Sequence, residues 1–384
     1  MPERKIRIGV LFGGRSAEHE VSLVSAASII NALDTSKYDV IPIGITPEGR
    51  WLSAANALAL LKEKSGVDNL PEHLIVPDPR RQGLLGIHNA SSSNVENQAE
   101  GMEVKPLDVV FPVLHGTYGE DGTIQGLLEL ADVAYVGAGV LGSAVGMDKV
   151  IQKQLLENAG ISIAPYSFFL MNEFEANEKD MINSIEKKLH YPCFVKPAHT
   201  GSSVGISKAH GRKELIAAVQ LASQYDRKIL VEKSIERARE IECSVLGNDE
   251  PVASVPGEII SSNEFYDYDA KYVDGKSTAI IPAKFSKAVT KKIQQIAASA
   301  FTILDCAGMA RVDFLVQRNG EKIYLNEINT IPGFTSISMY PKLWEASGVK
   351  YSDLLDRLVQ LALERHAEKQ TLKTTFKPKN EWYR

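Results

Sequence analysis

Residues 308–340 constrain this chain most, because they predict a pair of β-strands that carries acidic side chains. Two largely apolar runs, residues 310–316 and 322–328, flank Asn319-Gly320. Asn-Gly tolerates the positive φ angles of a tight turn, so this segment predicts an antiparallel hairpin.

Polar side chains recur at every second position of this hairpin. Side chains alternate between the two faces of a strand. Arg311 and Asp313 therefore share a face of the first strand, and Leu325, Glu327 and Asn329 are expected to share a face of the second. An odd loop length or a β-bulge would bring both sets to the same face of the sheet. Asp313, Glu327 and Asn329 would then supply the hard oxygen ligands that suit Mg²⁺ carrying phosphate, with Arg311 beside them as a fixed cation.

A solvated hairpin face is the ordinary alternative for such a pattern. Two features favour a binding site instead. The acids lie among Val, Phe, Leu and Ile, and the second strand leads into residues 330–336, which are rich in turn-forming residues. The backbone N–H groups and hydroxyls of that segment could receive a carboxylate.

Length and composition exclude several classes of protein. A chain of 384 residues with 44% hydrophobic residues is long enough for two or three domains with cores of their own. The net charge is −5 and acidic and basic residues are interleaved, so the sequence shows no basic patch of the kind that binds nucleic acid. Three widely spaced cysteines predict buried thiols in a reducing compartment. No apolar run is long enough to span a membrane, and the N-terminus lacks the apolar region of a signal peptide.

The first third of the chain predicts a parallel sheet. Residues 6–12 form a short apolar strand, Ser16 is a candidate N-cap for a helix that runs to about Leu33, and residues 38–45 predict the next strand. A strand, a helix and a strand at this spacing indicate a βαβ unit with helices on the sheet faces. Further elements are predicted after it: a strand over residues 108–115, a helix over 123–131 and a strand over 134–136. Ligands of such sheets bind beyond the carboxyl ends of the strands, where residues 13–20 would lie.

Residues 137–142 fit the pattern G-x-G-x-x-G, so a dinucleotide site has to be considered. That pattern belongs at the first strand of a βαβ unit, with an acid at the end of the second strand. Glu157, at the right distance, instead falls in the helical pattern of residues 149–158, which Gly160 closes. We therefore interpret residues 137–142 as a tight turn between domains.

From about residue 165 the pattern changes to short strands that alternate with helices. Strands are predicted over residues 166–170, 193–197, 229–232 and 240–246, and helices over residues 177–189, 212–223 and 351–366. Residues 84–105 predict a surface excursion or a hairpin. We place the domains at residues 1–140, 141–230 and 231–366, followed by a peripheral tail, 367–384.

A Gly/Ser loop follows the strand that ends near Lys196. Residues 198–206 can expose successive backbone N–H groups and fold over phosphates, although a flexible hairpin tip is the alternative. The loop is not a Walker motif, because no lysine follows its last glycine. Beside an acidic hairpin, phosphate binding is the favoured interpretation.

Taken together, these motifs resemble a known family. The string N-E-I-N-T-x-P-G-F-T with R-V-D upstream resembles the ATP-grasp ligases, and more closely the D-alanine–D-alanine ligases. The resemblance covers nearly the whole chain. It implies an α/β protein with α+β character in its C-terminal half, namely an ATP-grasp fold with an N-terminal Rossmann-like parallel-sheet domain. It also implies ATP-dependent ligation of two D-alanines through a D-alanyl phosphate, for peptidoglycan precursor synthesis.

The resemblance assigns residues to the nucleotide. Lys149 of Met147-Asp148-Lys149, Lys196 and Lys271 would contact phosphates, and the loop serines would close over them. The segment after residue 230 would hold the adenine edge, and Glu240 would hold the ribose hydroxyls. The implied nucleotide contacts are Lys149, Lys196, Ser203, Glu232, Lys233, Ile235, Glu240 and Lys271.

The resemblance also assigns residues to the amino-acid substrates and to catalysis. Residues 264–272, unusually rich in tyrosine, resemble a lid on which Tyr272 meets Ser202 and Glu18. Glu18 would take the ammonium of the first D-alanine, although an acid at a helix start is ordinarily a partner of the helix dipole. The implied catalytic or substrate-binding residues are Glu18, His115, Ser202, Tyr272, Arg311, Gly333, Ser338 and Met339.

The cofactors that the resemblance implies are ATP and two Mg²⁺ ions, for which Mn²⁺ could substitute. The metal ligands would be Asp313, Glu327 and Asn329. The partners would be small-molecule substrates and a second copy of the chain, with no nucleic acid and no membrane, in the cytoplasm.

Three alternatives stay open. A ligase of the vancomycin-resistance type takes D-lactate or D-serine as its second substrate, but the D-lactate enzymes carry a lid histidine where Tyr272 stands here. Another ATP-grasp carboxylate–amine ligase is disfavoured by the Glu18 segment and by the tyrosine-rich lid. A non-catalytic nucleotide-binding module is disfavoured by the presence of Lys271, Arg311 and all the metal ligands.

Overall fold

Three β-sheets with helices packed on them make up the structure. The computed structural model describes residues 4–87, 104–260, 278–317 and 322–376. The sheets follow one another along the chain, with eight, four and six strands. The predicted domain boundaries stay a prediction, although the three sheets fall within the three predicted segments to within a few residues.

The first sheet is half parallel and half antiparallel. Its strands run in the order β6-β5-β4-β3-β2-β1-β7-β8. They are β1 Ile6–Gly13, β2 Tyr38–Ile45, β3 Trp51–Leu52, β4 Glu72–Ile75, β5 Gly83–Ile87, β6 Val104–Pro106, β7 Val109–Pro112 and β8 Ala134–Tyr135. The parallel part, β2-β1-β7-β8, confirms the predicted βαβ arrangement. The strands β5 and β6 pair antiparallel, as a hairpin over residues 84–105 requires, but residues 88–103 lie outside the described part.

The first helix begins later than predicted. The helices of this part are α1 His19–Ala32, α2 Ala57–Glu63 and α3 Thr123–Leu130, with 3₁₀ turns at Val67–Asn69 and Pro79–Arg81. The prediction that Ser16 is the N-cap of α1 was wrong, because Glu18 occupies that position. Ser16 Oγ instead accepts a hydrogen bond from the N–H of Glu18 and donates one to the carbonyl of His115, which ties the helix start to the end of a neighbouring strand.

Two helices join the first sheet to the second. They are α4 Val140–Met147 and α5 Lys149–Asn158. The turn predicted over residues 137–142 is therefore shorter than expected, because α4 already begins at Val140. Asp148 caps α5 by accepting hydrogen bonds from the N–H groups of Val150 and Ile151 at 3.0 and 3.2 Å.

The second sheet is antiparallel, with strand order β11-β10-β12-β9. Its strands are β9 Tyr166–Leu170, β10 Cys193–Pro197, β11 Ser207–Ala209 and β12 Lys228–Lys233, and its helices are α6 Met171–Ala176, α7 Glu178–Leu189 and α8 Arg212–Ala222. The helices cover one face and form a separate apolar core with it. The loop between β10 and β11 is the predicted phosphate-binding loop.

The third sheet carries the acidic hairpin. Its strands are β13 Ala238–Gly247, β14 Val252–Ala253, β15 Gly257–Ile260, β16 Thr278–Ile280, β17 Gly308–Gln317 and β18 Ile323–Asn329, and α9 Lys287–Ile303 packs on one face. The strands β17 and β18 pair antiparallel as predicted, while the Asn319-Gly320 turn lies outside the described residues.

A β-bulge in this hairpin changes which side chains share a face. Asp313 pairs with Glu327, but the next residue, Phe314, pairs with Leu325, so Asn326 is the extra residue. The expectation that Leu325 shares a face with Glu327 was therefore wrong. Leu325 lies fully buried in the core beneath α9, and Glu327 points to the opposite face.

The last helices bind the third sheet to the first. They are α10 Met339–Ala346 and α11 Tyr351–Gln370, which extends four residues beyond the predicted end. Apolar residues of α11 share one core with Phe111 of the first sheet and with Phe334, whose rings meet edge to face at 5.8 Å. All three cysteines are free and buried, as predicted. No helix in the described ranges is both long and apolar enough for a membrane crossing.

Candidate active site

A cavity of about 250 Å³ lies where the three sheets approach one another. It collects predicted residues from the first sheet, the phosphate-binding loop and the acidic hairpin. The predicted residues that line it are Glu18, His115, Lys149, Ser202, Ser203, Arg311, Glu327, Asn329, Gly333, Ser338 and Met339. Residues separated by more than 300 positions in the sequence thus face one space.

The acidic hairpin places its polar side chains together, as predicted for a bulged pair. Arg311 lies opposite Asn329, and Asp313 lies opposite Glu327. The Arg311 guanidinium donates two hydrogen bonds to the Asp313 carboxylate, both of 2.8 Å, and Asn329 Nδ2 donates a third at 3.0 Å. The pairing fixes the direction of all three side chains.

The donor set on this face fits a divalent cation that also carries phosphate. Asp313 and Glu327 offer carboxylate oxygens and Asn329 an amide oxygen, which are hard ligands of the kind that Mg²⁺ prefers. Within the described ranges, no group of three or more His, Cys, Asp or Glu side chains is arranged as a metal site. A cation here would therefore need further oxygen ligands from a nucleotide or from water.

Glu242 is a residue of this face that the sequence analysis missed. It lies on β13 directly opposite Asp313, and its Oε2 is 3.1 Å from Arg311 Nε. Its side chain is only 8% exposed. Alternation along residues 238–247 could have identified it, because Glu240 and Glu242 must share a face.

The phosphate-binding loop closes over Glu18. Ser202 and Ser203 have positive φ angles of 48° and 60°, and Ser202 Oγ donates a hydrogen bond to Glu18 Oε1. A Cβ on Gly116 or on Gly201 would lie 2.5 Å from Glu18 Oε2, so a side chain at either position would displace the carboxylate from where it lies. Glu18 thus connects the first sheet to the loop of the second.

Lys149 stands between the loop and the acidic hairpin. Its Nζ donates to the carbonyl of Thr200 at 2.6 Å and lies 3.8 Å from Glu327 Oε2. Its backbone N–H donates to the carbonyl of Ala198 at 3.1 Å. The predicted phosphate ligand is therefore held within the cavity and is not a surface lysine.

His115 and Glu120 join the first sheet to residues 330–336. His115 is buried, with Nδ1 3.1 Å from the carbonyl of Ile331 and Nε2 3.1 Å from Ser25 Oγ. Burial lowers its pKa, which favours the neutral imidazole at neutral pH.

Glu120, which the sequence analysis missed, accepts hydrogen bonds from the N–H of Gly116 at 2.7 Å and of Ile331 at 3.1 Å. Burial and the nearby Glu18 carboxylate raise the pKa of Glu120 to about 8.

Part of the cavity wall comes from the segment that leads into α10, namely Gly333, Ser338 and Met339. Ser338 Oγ accepts a hydrogen bond from the N–H of Thr335 at 3.0 Å, which closes residues 335–338 into a turn at the start of α10. A Cβ on Gly333 would approach Ser338 Oγ to 2.7 Å, so the turn and the glycine fit only together. Met339 is buried against Ile259 and Leu343.

The remaining predicted nucleotide contacts are not among the residues that line this cavity; Lys196 was assigned to phosphate, and Glu232, Lys233, Ile235 and Glu240 to the base and ribose. Lys196 and Glu232 form an ion pair on adjacent strands, and a second lysine, Lys153 of α5, contacts the same carboxylate. Lys233 and Ile235 follow at the end of β12, where Lys233 is exposed and Ile235 half-buried. Glu240 lies on β13 opposite Ile259.

Two predicted residues and the predicted lid fall outside the described part of the chain. These are Lys271, Tyr272 and residues 264–272 as a whole. Their assignments stay predictions.

Comparisons with known proteins agree on one family. The family model described as D-ala D-ala ligase C-terminus matches residues 155–360, and the model described as D-ala D-ala ligase N-terminus matches residues 7–138. A D-alanine–D-alanine ligase of Chloroherpeton thalassium is 52% identical over 96% of this chain and 99% of its own length. One of Geobacillus kaustophilus is 48% identical over 97% and 99%.

Solved structures show the same fold. The D-alanine–D-alanine ligase from Coxiella burnetii matches with a TM-score of 0.78 at 39% identity, over 96% of this chain and 97% of that one. The VanG D-Ala:D-Ser ligase from Enterococcus faecalis matches with a TM-score of 0.81 at 38% identity, over 94% and 100%. These matches confirm the predicted mixed α/β, ATP-grasp architecture.

His199 supports the base of the phosphate-binding loop. Its Nε2 lies 3.0 Å from Asp148 Oδ2 and its Nδ1 lies 2.7 Å from Asp226 Oδ2. Lys228 Nζ lies 2.5 Å from the same oxygen of Asp148. Hydrogen bonds to the two aspartates raise the pKa of His199 to about 9, so the imidazolium persists at neutral pH.

This arrangement predicts a pH-dependent stability. The folded-state pKa of His199 is raised, so its contribution is fully present below about pH 6.5 and is lost as the pH rises through about 9. We expect the urea midpoint of the wild type to fall more steeply between these pH values than that of His199→Gln. His210→Gln, at an exposed histidine, is the control and should follow the wild type. Parallel curves for the wild type and His199→Gln would contradict this prediction.

Proposed function

The chain belongs to the D-alanine–D-alanine ligase family, and from this premise we infer that it uses ATP to join two D-alanines into D-alanyl-D-alanine. The observation that carries the inference is the cavity in which Arg311, the acidic hairpin, Lys149 and the phosphate-binding loop meet. Such a dipeptide serves peptidoglycan precursor synthesis. We also propose cytoplasmic location and a homodimer, both on the basis of the family resemblance.

The carboxylate of the first D-alanine has to be activated, because an unactivated carboxylate does not condense with an amine. A carboxylate oxygen of the first D-alanine attacks the γ-phosphorus of ATP, which forms D-alanyl phosphate and releases ADP. The amine nitrogen of the second D-alanine then attacks the acyl carbon. The new C–N bond forms, the C–O bond to phosphate breaks, inorganic phosphate leaves, and the proton of the amine is released. No side chain of the protein acts as a nucleophile.

Negative charge dominates both steps, and the cavity supplies the balancing groups. We propose that Lys149, Lys196 and Lys271 contact the phosphates and that Ser202 and Ser203 close the loop over them. The backbone of Glu232, Lys233 and Ile235 would hold the adenine edge, and Glu240 would hold the ribose hydroxyls. The low exposure of the Lys196 and Lys149 side chains, 12% and 11%, supports this assignment, because a fixed cation shielded from water stabilises phosphate charge more than a cation in solvent does.

Asp313, Glu327 and Asn329 are proposed to hold Mg²⁺, as two ions for which Mn²⁺ could substitute. When bound there with the nucleotide, the metal would neutralise charge on the transferring phosphoryl group. The support is the oxygen donor set on one face of the hairpin, with Lys149 3.8 Å from Glu327.

The amino-acid substrates are assigned to other residues that line the cavity and to the predicted lid. Glu18 would take the first ammonium, with His115 near the reacting carboxylate, and Tyr272 would close the lid onto Ser202 and Glu18. Arg311 and the N–H of Gly333 would stabilise the oxyanion that forms at the acyl carbon. Ser338 and Met339 would bind the second carboxylate through a hydroxyl and a backbone N–H.

A second candidate is ligation of D-alanine to D-serine or D-lactate. The likeness to the VanG D-Ala:D-Ser ligase favours testing it, since that fold match is as good as the match to a D-Ala–D-Ala ligase. Against D-lactate stands Tyr272, at the lid position where the D-lactate enzymes carry a histidine.

The acceptor test separates these activities. With ATP, Mg²⁺ and D-alanine we expect phosphate release and D-alanyl-D-alanine, with ligation rising between about pH 6 and pH 9 as the acceptor amine loses its proton. Products are identified by mass spectrometry in reactions that also contain D-serine or D-lactate. Mixed products in excess of D-alanyl-D-alanine would favour the second candidate. No phosphate release with D-alanine would refute the proposed function.

Arg311→Ala tests the oxyanion assignment. The loss of one such donor costs about 3–4 kcal/mol of barrier, so we expect kcat to fall about a hundredfold or more. Arg357→Ala, on the exposed side of α11, is the matched control and should keep wild-type turnover. Near-normal kcat in Arg311→Ala would remove this residue from the chemistry.

Glu327→Gln tests the metal assignment. Replacing a carboxylate ligand by an amide should raise the Mg²⁺ concentration for half-maximal activity by roughly tenfold or more. Glu345→Gln, at an exposed position of α10, is the control. The measurement is phosphate release titrated with Mg²⁺ at saturating ATP and D-alanine, and an unchanged midpoint would argue against Glu327 as a ligand.

A further inference from the structure

Three charged side chains of low exposure meet between α5 and the second sheet; Lys153 and Glu232 are buried, and the Lys196 side chain is 12% exposed. Lys153 of α5 and Lys196 of β10 both contact the carboxylate of Glu232, through different oxygens. The side chains of Lys153 and Glu232 are only 2% and 4% exposed. We call Lys153, Glu232 and Lys196 the buried charge cluster. Lys196 and Glu232 have parts in the proposed function, but Lys153 has none.

The carboxylate of this cluster is ionised at neutral pH. Burial alone would raise the pKa of Glu232, but the ammonium groups of Lys153 and Lys196 outweigh burial and lower this pKa to about 2. With both lysines protonated, the cluster carries a net charge of +1. Without Lys153, the charges of Lys196 and Glu232 would cancel and the net charge of the pair would be zero.

The difference matters because Lys196 is the member that faces the nucleotide in the proposed function. An ammonium fully neutralised by a carboxylate at contact distance presents little field to a phosphate, and in a buried site water does not restore it. A second lysine on the other carboxylate oxygen balances the carboxylate charge, so the positive charge of Lys196 again attracts a phosphate.

Lys153 also contacts the acidic hairpin. Its Nζ lies 3.4 Å from the carbonyl of Asn326, the extra residue of the bulge. The preceding residue, Gln152, accepts a hydrogen bond from the N–H of Ile328 at 3.2 Å and lies 3.4 Å from its carbonyl. The helix α5 therefore holds β18 on both sides of Glu327.

Packing alone does not explain a lysine at this position. An ammonium is costly to bury unless it is paired, and an apolar side chain of similar volume would fill the space without that cost. The contacts of Lys153 are with an acid and a backbone carbonyl, which identifies its charge as the useful property.

We propose that Lys153 is a positioning residue that neutralises Glu232 and thereby leaves the positive charge of Lys196 available to the nucleotide phosphates. The inference rests on the proposed function, because it assumes that Lys196 meets phosphate. It predicts a defect that depends on the charge of the ligand and not merely on the shape of the site.

The experiment measures the binding of adenosine and of ATP with Mg²⁺ to the full-length protein by calorimetry, without D-alanine. In Lys153→Met we expect ATP affinity to fall by about tenfold or more, while adenosine affinity stays within about twofold. Lys187→Met, at an exposed lysine of α7, is the control and should bind both ligands like the wild type. Equal losses for adenosine and ATP would show a merely structural role and overturn the proposal.

A double variant separates charge from packing. If the charge of Glu232 is harmful once Lys153 is gone, Lys153→Met with Glu232→Gln should restore the ratio of ATP affinity to adenosine affinity to within about threefold of the wild type. The ratio is the readout because Glu232 belongs to the proposed adenine-binding segment, and a ratio about tenfold or more below that of the wild type would overturn the proposal. This variant removes the buried pair as a unit, so it keeps the proposal testable if Lys153→Met alone does not fold.

The proposed function and this inference fail in different ways. A wild type that binds ATP but releases no phosphate with D-alanine refutes the function and leaves the charge argument standing. A wild type that makes the dipeptide, beside a Lys153→Met variant with unchanged preference for ATP over adenosine, refutes the inference alone.

Discussion

One extra residue in β18 determines whether this chain can have an active site. Without the bulge at Asn326, strict alternation would continue from Leu325, and Glu327 and Asn329 would point into the core beneath α9. With it, the apolar residues before the bulge stay buried while the polar residues after it face Asp313. Burying two uncompensated polar side chains would cost several kcal/mol, so the bulge and the core specify each other. The Gln152 amide accepts a hydrogen bond from the N–H of Ile328 and donates one to its carbonyl, and these two bonds hold the irregular strand in place.

The site also depends on contacts between distant parts of the chain. The cavity has walls from three sheets, and the joints between them are polar contacts: Ser202 with Glu18, Lys149 with Thr200, and Glu120 with both Gly116 and Ile331. Beneath these joints, Phe334 packs against Phe111 in a core shared by the first and third sheets. The segment after Ile331, which contains the proposed oxyanion donor Gly333, is thus fixed by apolar packing on one side and by the hydrogen bond from the N–H of Ile331 to Glu120 on the other.

Much of this could be predicted from the sequence where local signals are strong. The hairpin, the Gly/Ser loop and the helix at Lys149 follow from turn chemistry, alternation and capping, and the resemblance to a family supplied most of the roles. Glu120 and Lys153 were missed because a charged residue in a sequence is ordinarily solvent-exposed, and only tertiary contacts reveal that these two are enclosed. Glu242 was missed although strand alternation places it on the same face as Glu240. The N-cap at Ser16 was wrong for a similar reason. Its hydroxyl has a competing partner, the carbonyl of His115, which is 99 residues away.

The pairing of charges within the cavity explains how so many ionised groups coexist in a small enclosed space. Arg311 is paired with Asp313 and Glu242, Lys149 lies near Glu327, and Lys196 and Lys153 share Glu232. Each cation is thereby spared the penalty of being buried alone.

Two of the acids in these pairs, Asp313 and Glu327, are also the ones proposed to hold a divalent cation. If their oxygens bound such a cation, Arg311 and Lys149 would lose acidic partners, and phosphate oxygens and the developing oxyanion would take the place of those partners. Glu232 is different, because it is buried, does not line the cavity and contacts both lysines without being a proposed metal ligand. The charge of Lys196 therefore has to be secured in advance, and a second buried lysine is the group within reach that can do so.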